Sequence, residues 1–368
     1  MSSTSSLQFG VEIELLIGSR KKSHSSWKSL AKELSKRLSK AGIANHVNEG
    51  NDKSPEQYRE WSIVQEVTIP SQPGKGLWGL ELVSPVYPAA WYWATDLETI
   101  FSTLRGSFAL APSQHCSTHV HVSGSPFPLS AFDLAALAKA ALYYEPALDA
   151  LVPAGRRASA AYWCQSNRSN PALAHYPSLA DCLTGIDAAV AYATGRAGAD
   201  SPSSASSSSS GYYPPAGSSS SAAATSSSAT AVAEDAAAVR AVVEAMNLFP
   251  ASSPYGRAHG KKHDFVRGKV YKWDFTGMLA PPEGGGRGTV EFRQAPGSAS
   301  AEEAKGWVTL ALALVAGVVA DAAGGDVLAA AEGGAALEEL WGVLGRGADA
   351  LGWEGLGAAE GIFARREA

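Results

Sequence analysis

The chain has 368 residues, 45% hydrophobic and 18% charged, with a formal net charge of -5. That is enough apolar material for a sizeable core, and there is no basic excess to favour nucleic acid or an anionic membrane as the main partner. The three cysteines, Cys116, Cys164 and Cys182, cannot form a disulfide framework and fit a reducing compartment. The first eight residues lack the apolar stretch of a secretory signal, so a cytoplasmic location is expected.

In chain order, short β-rich runs bounded by Gly, Pro or Ser predict strands at Leu7–Ile17, Glu60–Ile69, Leu77–Val86 and Thr118–Ser123. Between the first two, Trp27, Leu30, Ala31, Leu34 and Leu38 recur at helical spacing and predict a helix over Trp27–Ala41. The run Gly74-Lys75-Gly76-Leu77-Trp78-Gly79 has the form G-x-G-x-x-G. It follows two prolines and runs into a strand, so it reads as a loop and not as a dinucleotide fingerprint. Trp91, Tyr92 and Trp93 read as packing against the sheet. A helix is expected over Leu129–Leu151, with Ser130 and Asp133 at its start and a break near Pro146.

Residues 198–230 are almost entirely Ser, Ala, Gly, Thr and Pro. Such a stretch buries too little apolar area to offset its ordering entropy and reads as a disordered insert. A helix near Asp235–Met246, a basic stretch at Arg257–Lys272 and a Gly-rich turn at Gly284–Gly288 follow. Then comes a strand at Thr289–Gln294. The apolar run Trp307–Ala320 is short for a bilayer span and reads as a buried core helix. The expected organisation is a catalytic domain over 1–322, interrupted by the insert, and a helical Ala/Gly-rich extension over 323–368. The fold class is α+β with a largely antiparallel sheet.

Three strands share one device. Side chains alternate faces with a period of two. Phe9, Val11, Ile13 and Leu15 therefore share a core face, and Glu12 and Glu14 share the other. His119 and His121 stand opposite Val120 and Val122; Glu291 and Arg293 stand opposite Val290 and Phe292. Glu81 opposes Leu80 and Leu82, and Glu66 has an ambiguous facing. A single pair of this kind marks any half-solvated strand. Three pairs built from Glu, His and Arg point to chemistry. Two unit charges about 7 Å apart repel by roughly 2–3 kcal/mol at an effective dielectric of 20. Gathered on one face, these carboxylates need cations, and such a donor set suits Mg²⁺ or Mn²⁺. Arg293 adds a forked donor for a phosphate. Metal, phosphate and an acidic sheet together suggest nucleotide-dependent phosphoryl transfer.

The segments FGVEIELL at 9–16, ELVSPVY at 81–87, CSTHVHVSG at 116–124, NRSNP at 167–171, YKWDF at 271–275 and TVEFRQAPGS at 289–298 occur in this order. Together they resemble the amidoligase family of fungal type, a branch of the glutamine synthetase and glutamate–cysteine ligase-like carboxylate–amine ligases. The resemblance implies a curved antiparallel sheet carrying the site on its concave face, with helices on the convex side. It implies ATP-dependent joining of a small-molecule or peptide carboxylate to an amine through an acyl phosphate. By the same resemblance Glu12, Glu14 and Glu291 match metal positions, Glu81 matches the acid of the E-L-V-S-P strand, and His119 and His121 match the H-x-H; the expected metal set is these four carboxylates with His119, and Arg293, His119 and His121 are the expected catalytic residues. Arg293 matches a phosphate-facing arginine, and Asn167 and Arg168 match a polar segment assigned here to the nucleotide. Lys272 or Lys269, in the basic stretch, is a further candidate phosphate contact. Glu66 stands where the family has Asp, and Asp274 where it has Asn. Two other readings stay open: a zinc hydrolase built on His119-x-His121, and an inactive binding module on the same fold.

Overall fold

The computed structural model describes residues 6–90, 93–160, 162–196, 222–247, 269–279, 286–324 and 333–365. A nine-stranded sheet organises it. The strands are β1 (Ser6–Ser19), β2 (Asn45–Val47), β3 (Trp61–Gln65), β4 (Trp78–Val83), β5 (Tyr87–Pro88), β6 (Phe108–Ala111), β7 (Thr118–Ser125), β8 (Trp273–Asp274) and β9 (Val290–Phe292). Their order is β2-β3-β4-β1-β7-β9-β8, with β5 and β6 also on β1. Only β2 and β3 pair in parallel. The expected strands are all present, and the class is α+β with a largely antiparallel sheet.

β1 is the central strand because its apolar alternation runs longest. One edge pairs with β7 through residues 6–13 and then with β6 through 16–19. The other edge takes β5 at residues 8–9 and β4 at 12–17. Phe9, Val11, Ile13, Ile17, Ile63, Leu80, Leu82, Val120, Val122, Val290 and Phe292 are buried in one core. Burying each such side chain contributes about 1.5–3 kcal/mol.

Helices cover that apolar face. They are α1 (Trp27–Lys40), α2 (Trp93–Ser107), α3 (Ala131–Tyr143), α4 (Glu145–Leu151), α5 (Leu179–Ala193), α6 (Ala222–Met246), α7 (Ala301–Gly324), α8 (Leu337–Ala350) and α9 (Glu360–Ala364). α1 lays Leu30, Ala31, Leu34 and Leu38 against the sheet, and Ser26 caps its start by accepting from Ser29 N. Ser130 and Asp133 form a capping box on α3. The expected break falls at Tyr144, which ends α3 and precedes α4; Pro146 then sits in the first turn of α4, where its missing N–H costs little. Trp93 packs edge-on to Phe9, while Trp91 and Tyr92 lie outside the described residues.

α7 is longer than the apolar run predicted. Residues 301–323 are long and apolar enough to cross a membrane by length and composition, and 72% of the most apolar window is buried inside the fold. α7 packs on β1, β7, α2, α3 and α8. Leu340, Val343 and Leu344, within the expected extension, share the same core. The Ser-rich insert needs one correction. Its residues 198–221 lie outside the described residues, but 222–230 form the start of α6. Ala and Ser there extend the helix that the sequence begins only at Asp235.

Candidate functional site

The period of two puts Glu12, Glu14, Glu81, His119, His121, Glu291 and Arg293 on the face away from that core. Register then brings them together. Glu12 pairs with His119, Glu14 with Glu81, and His121 with Glu291. His119 Nδ1 lies 3.4 Å from Glu12 Oε2, 3.4 Å from Glu291 Oε1 and 3.9 Å from Glu14 Oε1. His121 Nε2 lies 3.3 Å from Glu12 Oε1 and 3.7 Å from Glu291 Oε1. Two overlapping donor sets result, Glu12–His119–Glu291 and Glu14–Glu81–His119, each with donor atoms within 4.8 Å of one another. Glu14 Oε2 and His121 Nε2 are buried and make no hydrogen bond. The unsatisfied carboxylate oxygen of Glu14 in such a place fits a divalent cation, and a set of four carboxylates with two imidazoles suits hard ions.

Electrostatics sort the carboxyls. Burial pushes Glu81 well above the usual carboxylate range, and the charges of Glu12 and Glu14 add to it. Burial also raises Glu14, against the pull of His119. Glu12 is partly buried, yet His121 and His119 hold it well below that range. Burial is likewise outweighed at Glu291, which Arg293 and the imidazoles bring to about 2. His121 is raised, because Glu291 and Glu12 outweigh its burial.

Arg293 Nη1 pairs with Glu291, and its Nε donates to Lys269 O at 3.2 Å. Asp274 faces Glu291 in the register and accepts from Thr276 N and Oγ1 at 2.7 and 2.6 Å. Glu66 lies beside the cluster, raising Glu14 and Glu81, but its Oε1 accepts from Thr68 N at 2.6 Å. It belongs to neither donor set.

Two predicted ligand contacts, Lys272 and Asn167, have other partners, and a third, Arg168, lies elsewhere. Lys272 is 1% exposed, and its Nζ is 2.8 Å from Glu145 Oε1 and 2.5 Å from Asp149 Oδ1. A buried ammonium needs such carboxylates, so it is not free for a phosphate. Asn167 Nδ2 donates to Trp273 O and Met246 O, while its Oδ1 accepts from Trp273 N. Asn247 reaches the same strand, donating to Trp273 O and accepting from Phe275 N. These two amides close the outer edge of β8 in place of another strand. Arg168 is exposed and lines a cavity of about 490 Å³ with Glu145, Asp149 and Tyr176, away from the donor sets. Most of the basic stretch, 257–268, lies outside the described residues.

One residue escaped the pattern. Arg156 is buried; its Nη2 donates to Cys116 O and Ser117 Oγ, and its Nη1 to Arg293 O and Gln294 O. It ties the start of β7 to the end of β9 and so holds the imidazoles and Glu291 in register. No periodicity marks it. Cys164 is a buried thiol whose Sγ donates to Arg156 O, as expected of a structural cysteine. A cavity of about 1040 Å³ lies between α3, α5, α6, α7 and α8 and holds none of the predicted residues.

With this geometry in place, comparison with known sequences is decisive for the N-terminal half. Residues 5–174 match the family described as "Putative amidoligase enzyme". Over this segment the chain is similar to that family. No curated protein and no solved structure matches the chain. The amidoligase match supports a ligase-type function. It spans β1 to β7, and so carries Glu12, Glu14, Glu81, His119, His121 and Arg156. Glu291 and Arg293 lie beyond it and join the amidoligase face only through β9.

Proposed function

We propose that the protein is an ATP-dependent carboxylate–amine ligase working with Mg²⁺ or Mn²⁺. The observation that carries this reading is the pair of donor sets sharing His119 on one sheet face, with Glu14 Oε2 and His121 Nε2 buried and unsatisfied. Glu12, Glu14, Glu81, Glu291 and His119 would hold the ions, with His121 beside them. Bound divalent ions supply charge neutralisation to a transferring phosphoryl group.

The chain's own residues do the rest. Arg293 is fixed through Nη1 and Nε, which leaves Nη2 as a donor for a phosphate oxygen. Burial of the carboxylates keeps water from the face and strengthens each electrostatic contact. In the reaction, a substrate carboxylate oxygen takes the γ-phosphoryl group of ATP and ADP leaves. The amine nitrogen then bonds to the acyl carbon, phosphate leaves, and the amine loses a proton. The carboxylate and amine belong to small molecules or peptides. The acid-rich donor set favours this reading over zinc hydrolysis.

Calorimetric titration of ATP with Mg²⁺, with EDTA, and into Glu12→Gln tests the reading. Metal-dependent binding that Glu12→Gln abolishes is expected. Failure of the wild-type protein to bind ATP with either metal would overturn it.

A further inference from the structure

The cations on the site face are mostly spoken for. Arg293 is paired with Glu291, Lys272 with Glu145 and Asp149, and Arg156 with carbonyl oxygens and Ser117. Two are not. Arg287 and Lys53 are exposed, and among the described residues neither side chain makes a hydrogen bond or ion pair. Arg287 lies just before β9 and Lys53 in the segment leading to β3, two strands of the sheet that carries the acidic centre. Cations that merely balanced the carboxylates would be in contact with them. These two leave their charge available for a ligand.

Their placement is built. The guanidinium of Arg287 stacks 4.8 Å from the ring centroid of Tyr58. Tyr58 precedes β3 and Arg287 precedes β9, so the stacked pair bridges loops from strands with β4, β1 and β7 between them.

Hydrogen bonds tie down the described part of each loop. Gly286 and Gly288 flank Arg287 with φ of 61° and 64°, and Arg287 N and Gly288 N both donate to Gly277 O at 3.1 Å. A Cβ on Gly277 would lie 2.5 Å from Thr289 O, so the turn permits no side chain there. On the other side Asn48 brackets Asp52 through two hydrogen bonds, and Asp52 in turn accepts from Ser54 and Gln57. Lys53 and Tyr58 project from that knitted loop.

We propose that Arg287, stacked on Tyr58, and Lys53 form a polyphosphate-binding rim at the end of β9 opposite Arg293, receiving the triphosphate of the nucleotide. The inference rests on the ligase reading for the nucleotide, but not for the polyanion. Two unpaired cations beside a divalent-ion centre suit a metal-complexed polyphosphate better than a single carboxylate, because the chain of negative oxygens can meet the ions and both side chains at once. The guanidinium, held over an aromatic ring, keeps N–H donors for phosphate oxygens.

The test is calorimetric titration of inorganic tripolyphosphate with Mg²⁺ into the full chain, and into Arg287→Ala, Lys53→Ala and Tyr58→Leu. Binding of Mn²⁺ alone is measured on each as a check of the acidic centre. Arg287→Ala and Lys53→Ala should each weaken tripolyphosphate binding about tenfold, the loss expected for one charge-assisted contact. Tyr58→Leu should weaken it about threefold by freeing the guanidinium. Mn²⁺ should bind each variant at least as tightly as wild type, since a nearby positive charge is removed or loosened. Unchanged tripolyphosphate affinity in Arg287→Ala, or no tripolyphosphate binding by the wild-type chain, would overturn the rim. A wild-type chain that binds tripolyphosphate but not ATP would overturn the nucleotide reading and leave the rim standing.

Discussion

Glu14 and Glu81 stand directly opposite one another across the β1–β4 pair, and both are buried. Like charges facing across a ladder destabilise it. Burial pushes both carboxyls up; the charges of Glu12 and Glu14 add to Glu81, and those of Glu66 and Glu12 to Glu14. The pair makes sense as a cation site whose energetic cost the fold carries when no ion is bound.

That cost sets the pH dependence of the metal-free protein. A carboxyl raised in the folded state from its ordinary value of 4.5 favours the fold while protonated, so stability falls as pH rises above 4.5. The raised His121 contributes fully below 6.5 and is lost as pH rises through its folded value. Glu12 and Glu291 are depressed, so their contributions are already complete above 4.5. All terms above 4.5 therefore run in one direction. In EDTA the melting temperature should fall by on the order of 5 °C between pH 5 and pH 8. Adding Mg²⁺ or Mn²⁺ should restore it, most at the higher pH. Scanning fluorimetry across pH checks this; a metal-free protein that grows more stable towards pH 8 would contradict it.

Glu81→Gln removes one of the two opposed charges. At pH 8 without metal it should stabilise the fold by about 1–2 kcal/mol, the equivalent of roughly one unit of relieved pKa shift. Divalent-ion affinity should fall at least tenfold. Denaturant melts with and without Mn²⁺ separate the two effects.

Lys272→Met leaves Glu145 and Asp149 without their shared ammonium. Breaking a buried pair costs about 3–5 kcal/mol, and that much is expected in urea melts, less what the partial exposure of the two carboxylates returns. Mn²⁺ affinity should stay within twofold of wild type. A variant of wild-type stability with weakened nucleotide binding would instead return Lys272 to the phosphate role.

Asn167→Ala removes three hydrogen bonds to backbone, two of them to Trp273 at the open edge of β8. Leaving those buried groups unsatisfied should cost about 2–4 kcal/mol. Asn247→Ala should behave alike. Protection of the Trp273 and Phe275 amides in hydrogen exchange should fall in both variants.

Gly347→Val tests how far the C-terminal segment is integrated. A Cβ on Gly347 would lie 1.8 Å from Ala313 O, and one on Gly317 would lie 2.2 Å from Val343 O. α7 and α8 thus cross backbone to backbone. The substitution should lower stability by about 3 kcal/mol or more through overpacking. A melting temperature equal to wild type would mean that 323–368 forms a separate unit.

Much of the site was legible along the chain because strands encode facing in a period of two. Glu12 with Glu14, His119 with His121, and Glu291 with Arg293 each declare their common face within a few residues. The amphipathic stripe of α1 and the capping box at Ser130 are equally local. Lys272 shows where such reading fails: its charge and its place in a basic stretch suggested a phosphate, and only its neighbours in space, Glu145 and Asp149, decide otherwise.

The sequence by itself determined which side chains could share a face and which helices would cover the other. Tertiary structure alone decided that Glu14 meets Glu81, that His119 serves two donor sets, and that Glu291, beyond the family match, joins residues from the first third of the chain. It also decided that the Gly-flanked Arg287 reaches Tyr58 across the sheet. The reason is register: pairing partners far apart along the chain are selected by the packed core and by ties such as Arg156, and no local period records them.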